Sequence, residues 1–232
     1  MKSAIAPLAG VLLCLSGCMV EPETPTGPSQ HDSQTIERDG AQSLHATLNM
    51  GAGNLRVGTG TEKLVRADFD YNVPGWKPVI RYNAGDLSIS QPDTHHVRLG
   101  HNRYEWDIRL NREVPIDLDV HFGAGDAHLD LGGLDLRHVE VEMGVGKMEM
   151  DLRGQTRHNY DVNINGGVGE ATVYLPSDAG VYAEAAGGIG EIQAPRLHKE
   201  DSHYTNDAYQ KAKYTVRLNV HGGIGTIRLI SE

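Results

Sequence analysis

Cysteine is nearly absent from this chain. Its 232 residues include two, Cys14 and Cys18, both close to the N-terminus. Everything after residue 18 therefore lacks a disulfide, a thiol nucleophile and a thiolate metal site. Bulky aromatic rings are also scarce, with two Phe and two Trp, whereas glycine is abundant at 28 residues. That mix excludes a core built on large rings and suits thin, closely stacked β-structure. Positive charge is in deficit: 21 Lys and Arg against 31 Asp and Glu, a formal net charge of -10. No Lys/Arg cluster offsets this, so nucleic acid is not an expected partner. The longest apolar stretch, residues 5–15, is too short to span a membrane. Neither G-x-S-x-G nor H-E-x-x-H occurs, and no Ser or Cys stands near a His in a nucleophile context. The expectation is a non-enzymatic chain with no catalytic residue, no cofactor and no resident metal.

The N-terminus reads as a targeting segment. Lys2 precedes the apolar stretch, which closes on Leu15-Ser16-Gly17-Cys18. That tetrapeptide resembles the lipobox of bacterial lipoproteins. The resemblance implies a signal peptide over 1–17, cleavage before Cys18 and acylation of that residue. Met19 rather than Asp follows Cys18. In a cell with two membranes this resembles the pattern sent to the outer membrane. Residues 19–35 begin "MVEPETPTGPSQHDSQ", rich in Pro, acids and hydroxyls and poor in apolar side chains. Such a segment cannot bury a core, so 18–35 is expected to be an acylated Cys and a flexible tether. Its reach is at most roughly 55 Å.

What the remainder does have is a repeat. Six Gly-x-Gly elements occur: Gly51/Gly53, Gly123/Gly125, Gly144/Gly146, Gly167/Gly169, Gly188/Gly190 and Gly223/Gly225. Their middle residues, Ala52, Ala124, Val145, Val168, Ile189 and Ile224, are all apolar. Apolar or Gly residues fall two and four positions before each middle residue, and apolar ones recur three and five after the best-formed corners. Val141, Met143, Met148 and Met150 around Val145 show the pattern. Strict strand alternation would keep even spacings, so one extra residue is accommodated at each corner. A glycine able to take positive φ suits such a bend. The apolar middle residue is expected to plug its inside, so Val145→Asp should bury an unpaired carboxylate at a cost on the order of 2 kcal/mol.

The corners at 124, 145, 168 and 189 lie 21, 23 and 21 residues apart. A fixed period near this length marks stacked repeats, each strand, corner, strand and return turn. "LGGLDL" and "LPSDAG" read as return turns. The fold expectation is all-β, a stack of short strands resembling a β-solenoid, in one domain over 36–232. An antiparallel sandwich is the alternative. Residues 58–115 are less regular, with "VPGWKP" as a turn and "YNAGDLSIS" as a degenerate repeat. Residues 195–213 read as a long loop with a helical turn.

Ligand chemistry is sparse. "GGVGEATVY" and its two relatives place Ala171, Ile192 and Ile227 where a calcium nonapeptide needs Asp. The outward positions gather acids and histidines: Asp117, Asp119 and His121; Asp126, His128 and Asp130; Glu140 and Glu142; Lys147, Glu149 and Asp151. Stacked about 4.8 Å apart they form either a solvated face that discourages aggregation or a ladder for a divalent or cationic partner. "HHVRLGH" at 95–101 fits no standard zinc spacing. The Gly-x-Gly corners are not phosphate cradles, because strands rather than helices follow them.

The run "YEWDIRLNREVPIDLDVHFGAGDAHLDLGGLDLRHVEVEMGVGKMEMDL" resembles the bacterial toast-rack domain family. So does the closing "YTNDAYQKAKYTVRLNVHGGIGTIRLI". The resemblance covers about residues 45–230 and extends to the C-terminal part of LiaF-type regulators of cell-envelope stress. It implies a stacked β-sheet and no enzymatic activity. The lipobox in place of several membrane-spanning helices sets this chain apart from those regulators.

Together these readings point to a cell-envelope lipoprotein acting as an interaction or scaffold module. It would be anchored by its N-terminal lipid and directed at an envelope protein or polysaccharide not named by the sequence. Two alternatives remain: a component of envelope-stress sensing, and a carbohydrate-binding β-solenoid. The last would need an aromatic stripe on one face, for which Trp76 and Trp106 are the available tryptophans. Stable anchoring takes more than one acyl chain. Cys18→Ser is therefore expected to move the protein from the membrane to the soluble fraction and to abolish labelling by a fatty-acid probe. Unchanged membrane retention would refute the lipobox reading.

Overall fold

The computed structural model describes residues 27–92 and 102–231. Cys18, residues 19–26 of the tether and the histidine cluster at 95–101 lie outside them.

Six long strands carry the Gly-x-Gly corners in mid-span. They are β2 (Leu44–Thr59), β7 (Pro115–Asp130), β8 (Asp135–Asp151), β9 (Tyr160–Leu175), β10 (Gly180–Gln193) and β13 (Thr215–Ser231). Shorter strands complete the fold: β1 (Gln30–Ile36), β3 (Val65–Tyr71), β4 (Val79–Asn83), β5 (Asp86–Ser90), β6 (Tyr104–Leu110), β11 (His198–Glu200) and β12 (His203–Thr205). All thirteen belong to one sheet, ordered β1-β3-β6-β2-β7-β8-β9-β13-β10-β12-β11, with β5 beside β2 and β4 beside β5. The long strands pair parallel and in register, corner on corner: Ala52 beside Ala124, then Val145, Val168, Ile224 and Ile189. The fold is the stacked all-β architecture rather than an antiparallel sandwich.

The stack does not follow chain order. β13 inserts between β9 and β10, so the corner at 189 lies on the one at 224, not on the one at 168. After β10 the chain runs through the β11–β12 hairpin, where β12 closes antiparallel on Tyr182, Ala183 and Glu184. It then returns as β13. Buried Asn206 pins this detour, donating from Nδ2 to the carbonyls of Pro176 and Ala179 at 3.2 and 2.8 Å and accepting from the Val181 amide at 2.9 Å.

At the other end the repeat splits into half-rungs. β5 covers the first limb of β2 and β6 covers the second. Between them Gln91 substitutes for a corner: its Oε1 accepts from the Gly51 amide at 2.7 Å and the Ala52 amide at 3.2 Å. "YNAGDLSIS" is thus a hairpin supplying half a rung, its turn held by positive φ at Ala84 and Gly85. "VPGWKP" is a turn of 3-10 helix over Pro74–Trp76. The few large rings collect at this end, with Phe69 edge-on to Trp106 at 5.5 Å and Tyr104 between Trp106 and Trp76. The tether is shorter than the sequence suggests. Residues 30–36 form edge strand β1, whose mostly exposed side chains hold to β3 by backbone pairing rather than by burial.

Around each corner the inward positions are as expected: Val141, Met143, Met148 and Met150 are buried, as are Val120, Phe122, Ala127 and Leu129. The middle residue departs from expectation. Val145 is 54 % exposed, Val168 46 %, Ile224 51 % and Ile189 72 %. The bend is filled from inside by the residues two before and three after the middle. Four residues remain between them to pass round the turn, and the middle one of the corner lies among these at the surface.

Both corner glycines have a backbone reason, shown at β8. Gly146 has φ 137°, and a Cβ there would collide with the carbonyl oxygen of Gly125 on the neighbouring rung. Gly144 has an ordinary φ, yet its Cβ would strike the Gly123 carbonyl. The first pair, Gly51 and Gly53, departs from the uniform corner that the repeat predicts. Each of the other five corners rests on the glycines of a neighbouring rung, whereas on the β6 side of β2 no further Gly-x-Gly follows. Gly53 keeps the positive φ, 142°, but a Cβ there would collide with the Tyr104 carbonyl oxygen and the Met50 side chain. A Cβ at Gly51 would meet the flexible Gln91 amide instead of backbone. Gly51 and Gly53 therefore end the stack, and half-rungs replace the missing corner. Gly146→Ala is expected to cost at least about 2 kcal/mol, from strain and lost backbone approach. Val145→Asp should cost less than about 1 kcal/mol, because the carboxylate stays hydrated. Urea melts of the two variants beside wild type test this ordering, and equal losses would contradict it.

Candidate interaction surface

The corners set side by side produce a linear feature. Ala52, Ala124, Val145, Val168, Ile224 and Ile189 are successive positions across six rungs. With strands about 4.8 Å apart, five steps make a ridge of about 24 Å. The side chains grow along it from Ala through Val to Ile, so the ridge is most apolar toward β10. Among the described residues, the large hydrophobics that are exposed are Val79 and four members of this ridge. Isolated exposed apolar residues are unremarkable, but a contiguous row of them marks a contact surface.

The surface flanking the ridge is polar and internally compensated. On the first limb His121 Nδ1 lies 2.9 Å from Glu142, and His45 lies 3.4 Å from Asp119. Asn163 and Asn165 donate to Glu140 at 3.1 and 3.3 Å, and Asn219 donates to Asn163 at 3.2 Å. On the second limb His128 lies 3.6 Å from Glu149, and Arg228 lies 3.3 Å from Glu170. These contacts join one rung to the next, as cross-strand pairs do. At the end of β8, burial opposes ionisation of Asp151, but Arg153 Nη2 at 2.6 Å and the Arg153 amide at 2.9 Å hold its carboxyl below the ordinary range. The acidic outward face is present, with several carboxylates occupied by neighbouring His, Arg and Asn. Among the described residues no three His, Cys, Asp or Glu side chains come together as a metal site.

The twelve corner glycines form two backbone ladders, one on either side of the ridge. The first runs Gly51, Gly123, Gly144, Gly167, Gly223, Gly188, and the second Gly53, Gly125, Gly146, Gly169, Gly225, Gly190. They build the surface without presenting functional groups. Trp76 and Trp106 are buried, 3 % and 1 % exposed, and line no groove. Sequence reading located the ridge residues but turned them inward. The usable signal was the odd spacing itself, which leaves four residues between the buried positions on either side of the bend.

The architecture is a module of in-register bent strands with an apolar ridge between polar flanks. Residues 25–174 match the N-terminal domain of toast_rack, and residues 124–229 match the C-terminal region of LiaF, the cell wall-active antibiotics response protein. The chain belongs to the toast-rack family. The crystal structure of a candidate cell adhesion protein from Clostridium sporogenes is 36 % identical, with a TM-score of 0.86, over 88 % of this chain and 100 % of that one. A candidate adhesin from Bacteroides fragilis aligns at 12 % identity with a TM-score of 0.38, over 89 % of this chain and 99 % of that one, too distant to inform further. No curated protein matches the chain.

Proposed function

We propose that the protein is a non-enzymatic, lipid-anchored module of the cell envelope that binds a protein partner along its corner ridge. The observation that carries this reading is the unbroken row of exposed aliphatic side chains from Val145 to Ile189, in register on a rigid backbone. A row of this kind needs no ordering on binding, so little conformational entropy opposes contact. The relatives support the reading in kind: one is a candidate cell adhesion protein, and LiaF belongs to the response to cell wall-active antibiotics. Acylation of Cys18 would hold the module at a membrane, the outer one in a cell with two. The tether after Cys18 would end near residue 30, where β1 begins.

A signalling role within envelope stress is the second reading, favoured by the match of residues 124–229 to LiaF. The carbohydrate reading loses its main support, because both tryptophans sit in the core.

The test is crosslinking in intact cells followed by capture of the tagged lipoprotein. The double variant Ile189→Asp/Ile224→Asp should lose the wild-type crosslinked species while its urea midpoint stays close to wild type, both sites being exposed. Glu149→Gln, on the polar flank, should keep that species. A double variant that is folded and still crosslinks fully would refute the ridge as the contact surface.

A further inference from the structure

A half-open cavity of about 290 Å³ lies at the last three corners, where β9, β13 and β10 stack, and it opens to solvent beside exposed Gly187. Its walls are largely apolar, with Met143, Met148, Ile164, Val220, Ile192 and Ile227 among them. Its origin is visible in the register. The inward position two before the corner is Met50 in β2, Phe122 in β7 and Met143 in β8. In the next three rungs the same position is Gly166, Gly222 and Gly187. Three successive rungs thus lack the side chain that fills the bend elsewhere.

No backbone requirement explains two of these glycines. Neither Gly166 nor Gly187 has a positive φ. A Cβ at Gly187 would meet nothing within 4 Å, and one at Gly166 would meet only the His221 carbonyl oxygen, at 3.8 Å. Gly222 is closer, with Ile227 Cδ1 at 3.2 Å. Glycine inside a strand costs roughly 0.5–1 kcal/mol relative to Ala. Here that cost leaves a space which Met, the residue of the neighbouring rung, would occupy. Ligand sites of this kind are apolar clefts with a few polar groups at the rim, and here the aliphatic walls meet Glu170, Glu191, Lys199 and His221.

The polar groups on the wall discriminate between ligand heads. Glu170 is engaged by Arg228 at 3.3 Å, and Glu191 accepts from Gln193 at 2.8 Å. Lys199 has no carboxylate partner among the described residues, and its Nζ lies 5.6 Å from the centroid of the Tyr204 ring. Glu191 keeps its negative charge, since the Gln193 amide is neutral, and among the described residues Lys199 is the cation on the lining and has no hydrogen-bonded partner to hold its ammonium.

We infer that this cavity is a binding site for a single straight aliphatic chain of about ten carbons carrying an anionic head, with the chain between the limbs and the head at Lys199. The site shares Val168, Ile224 and Ile189 with the ridge but takes its space from Gly166, Gly222 and Gly187, so Gly187→Met tests it while leaving the ridge side chains in place.

The probe is decanoate, titrated calorimetrically below its micelle-forming concentration into the full chain carrying Cys18→Ser, which removes the acylation site. A decyl lysophosphatidylglycerol is run in parallel to distinguish a free fatty acid from an acyl lipid. Decanoate is expected to bind, and decyltrimethylammonium to bind at least about tenfold more weakly, a difference of about 1.4 kcal/mol. Gly187→Met and Gly166→Met should each abolish decanoate binding while the thermal midpoint holds or rises, because the added side chain enters open space. Lys199→Gln should weaken binding a few-fold. Absence of decanoate binding, full binding by folded Gly187→Met, or equal binding of the cationic amphiphile would overturn the assignment. Should Gly166→Met fail to fold, Gly187→Met alone decides.

Discussion

The structure depends on one contact repeated along the stack: backbone against backbone where glycine meets glycine at the corners. A strand that bends sharply must lie on another that bends at the same height, or its hydrogen-bond ladder breaks. At each stacked Gly-x-Gly the neighbouring carbonyl oxygen occupies the place of a Cβ, so no side chain can separate the rungs there. The positive φ of the second glycine sets the bend, and the closeness of the first lets the next rung follow it. The rest follows: buried positions from both limbs meet in one core, outward polar residues fall beside their counterparts, and the middle residues line up as a ridge.

Register also explains why a chain with so few large aromatics holds together. In a parallel stack each inward aliphatic residue touches its equivalents above and below, so Leu, Val, Ile and Met suffice. The rings are spent where the repeat fails. Beyond Gly51 and Gly53 the half-rungs cannot offer that continuity, and Phe69, Trp106, Tyr104 and Trp76 fill the irregular space. At the other end β12 covers only the first limb of β10, so the second limb is left beside the glycine-lined cavity and the bulkiest part of the ridge.

Much of this was legible in the sequence. The corners, the return turns "LGGLDL" and "LPSDAG", the inward Val-x-Met and Met-x-Met pairs and the outward acids all follow from spacing. The orientation of Val145 and its equivalents did not, because alternation stops at the bend and apolar character alone points inward. That Gly53 packs on Tyr104 rather than on another corner was hidden as well, since nothing in the "GAGN" stretch distinguishes a terminal rung from an inner one. The order of rungs was equally silent. Six equivalent corners stack equally well in any sequence, and what selects β13 as the neighbour of β9 is the detour fixed by Asn206 and the β11–β12 hairpin. The cavity does not need that order, since Gly166, Gly222 and Gly187 fall on consecutive rungs whichever of β10 and β13 lies on β9.

The in-register stacking of the corners, with β13 lying on β9, is the central claim, and engineered cysteine pairs test it most directly. With Cys18→Ser as background and Cys14 replaced, the folded chain has no cysteine of its own. Residues facing each other on adjacent strands lie within the roughly 4.4–6.8 Å Cα separation a disulfide accepts, whereas two strand steps, about 9.6 Å, exceed it. Val168→Cys with Ile224→Cys should oxidise readily to a disulfide, and Val168→Cys with Ile189→Cys should not. The reverse result would mean that the rungs stack in chain order and would contradict the insertion of β13 between β9 and β10, whereas failure of both pairs would contradict the corner-on-corner register on which the ridge rests.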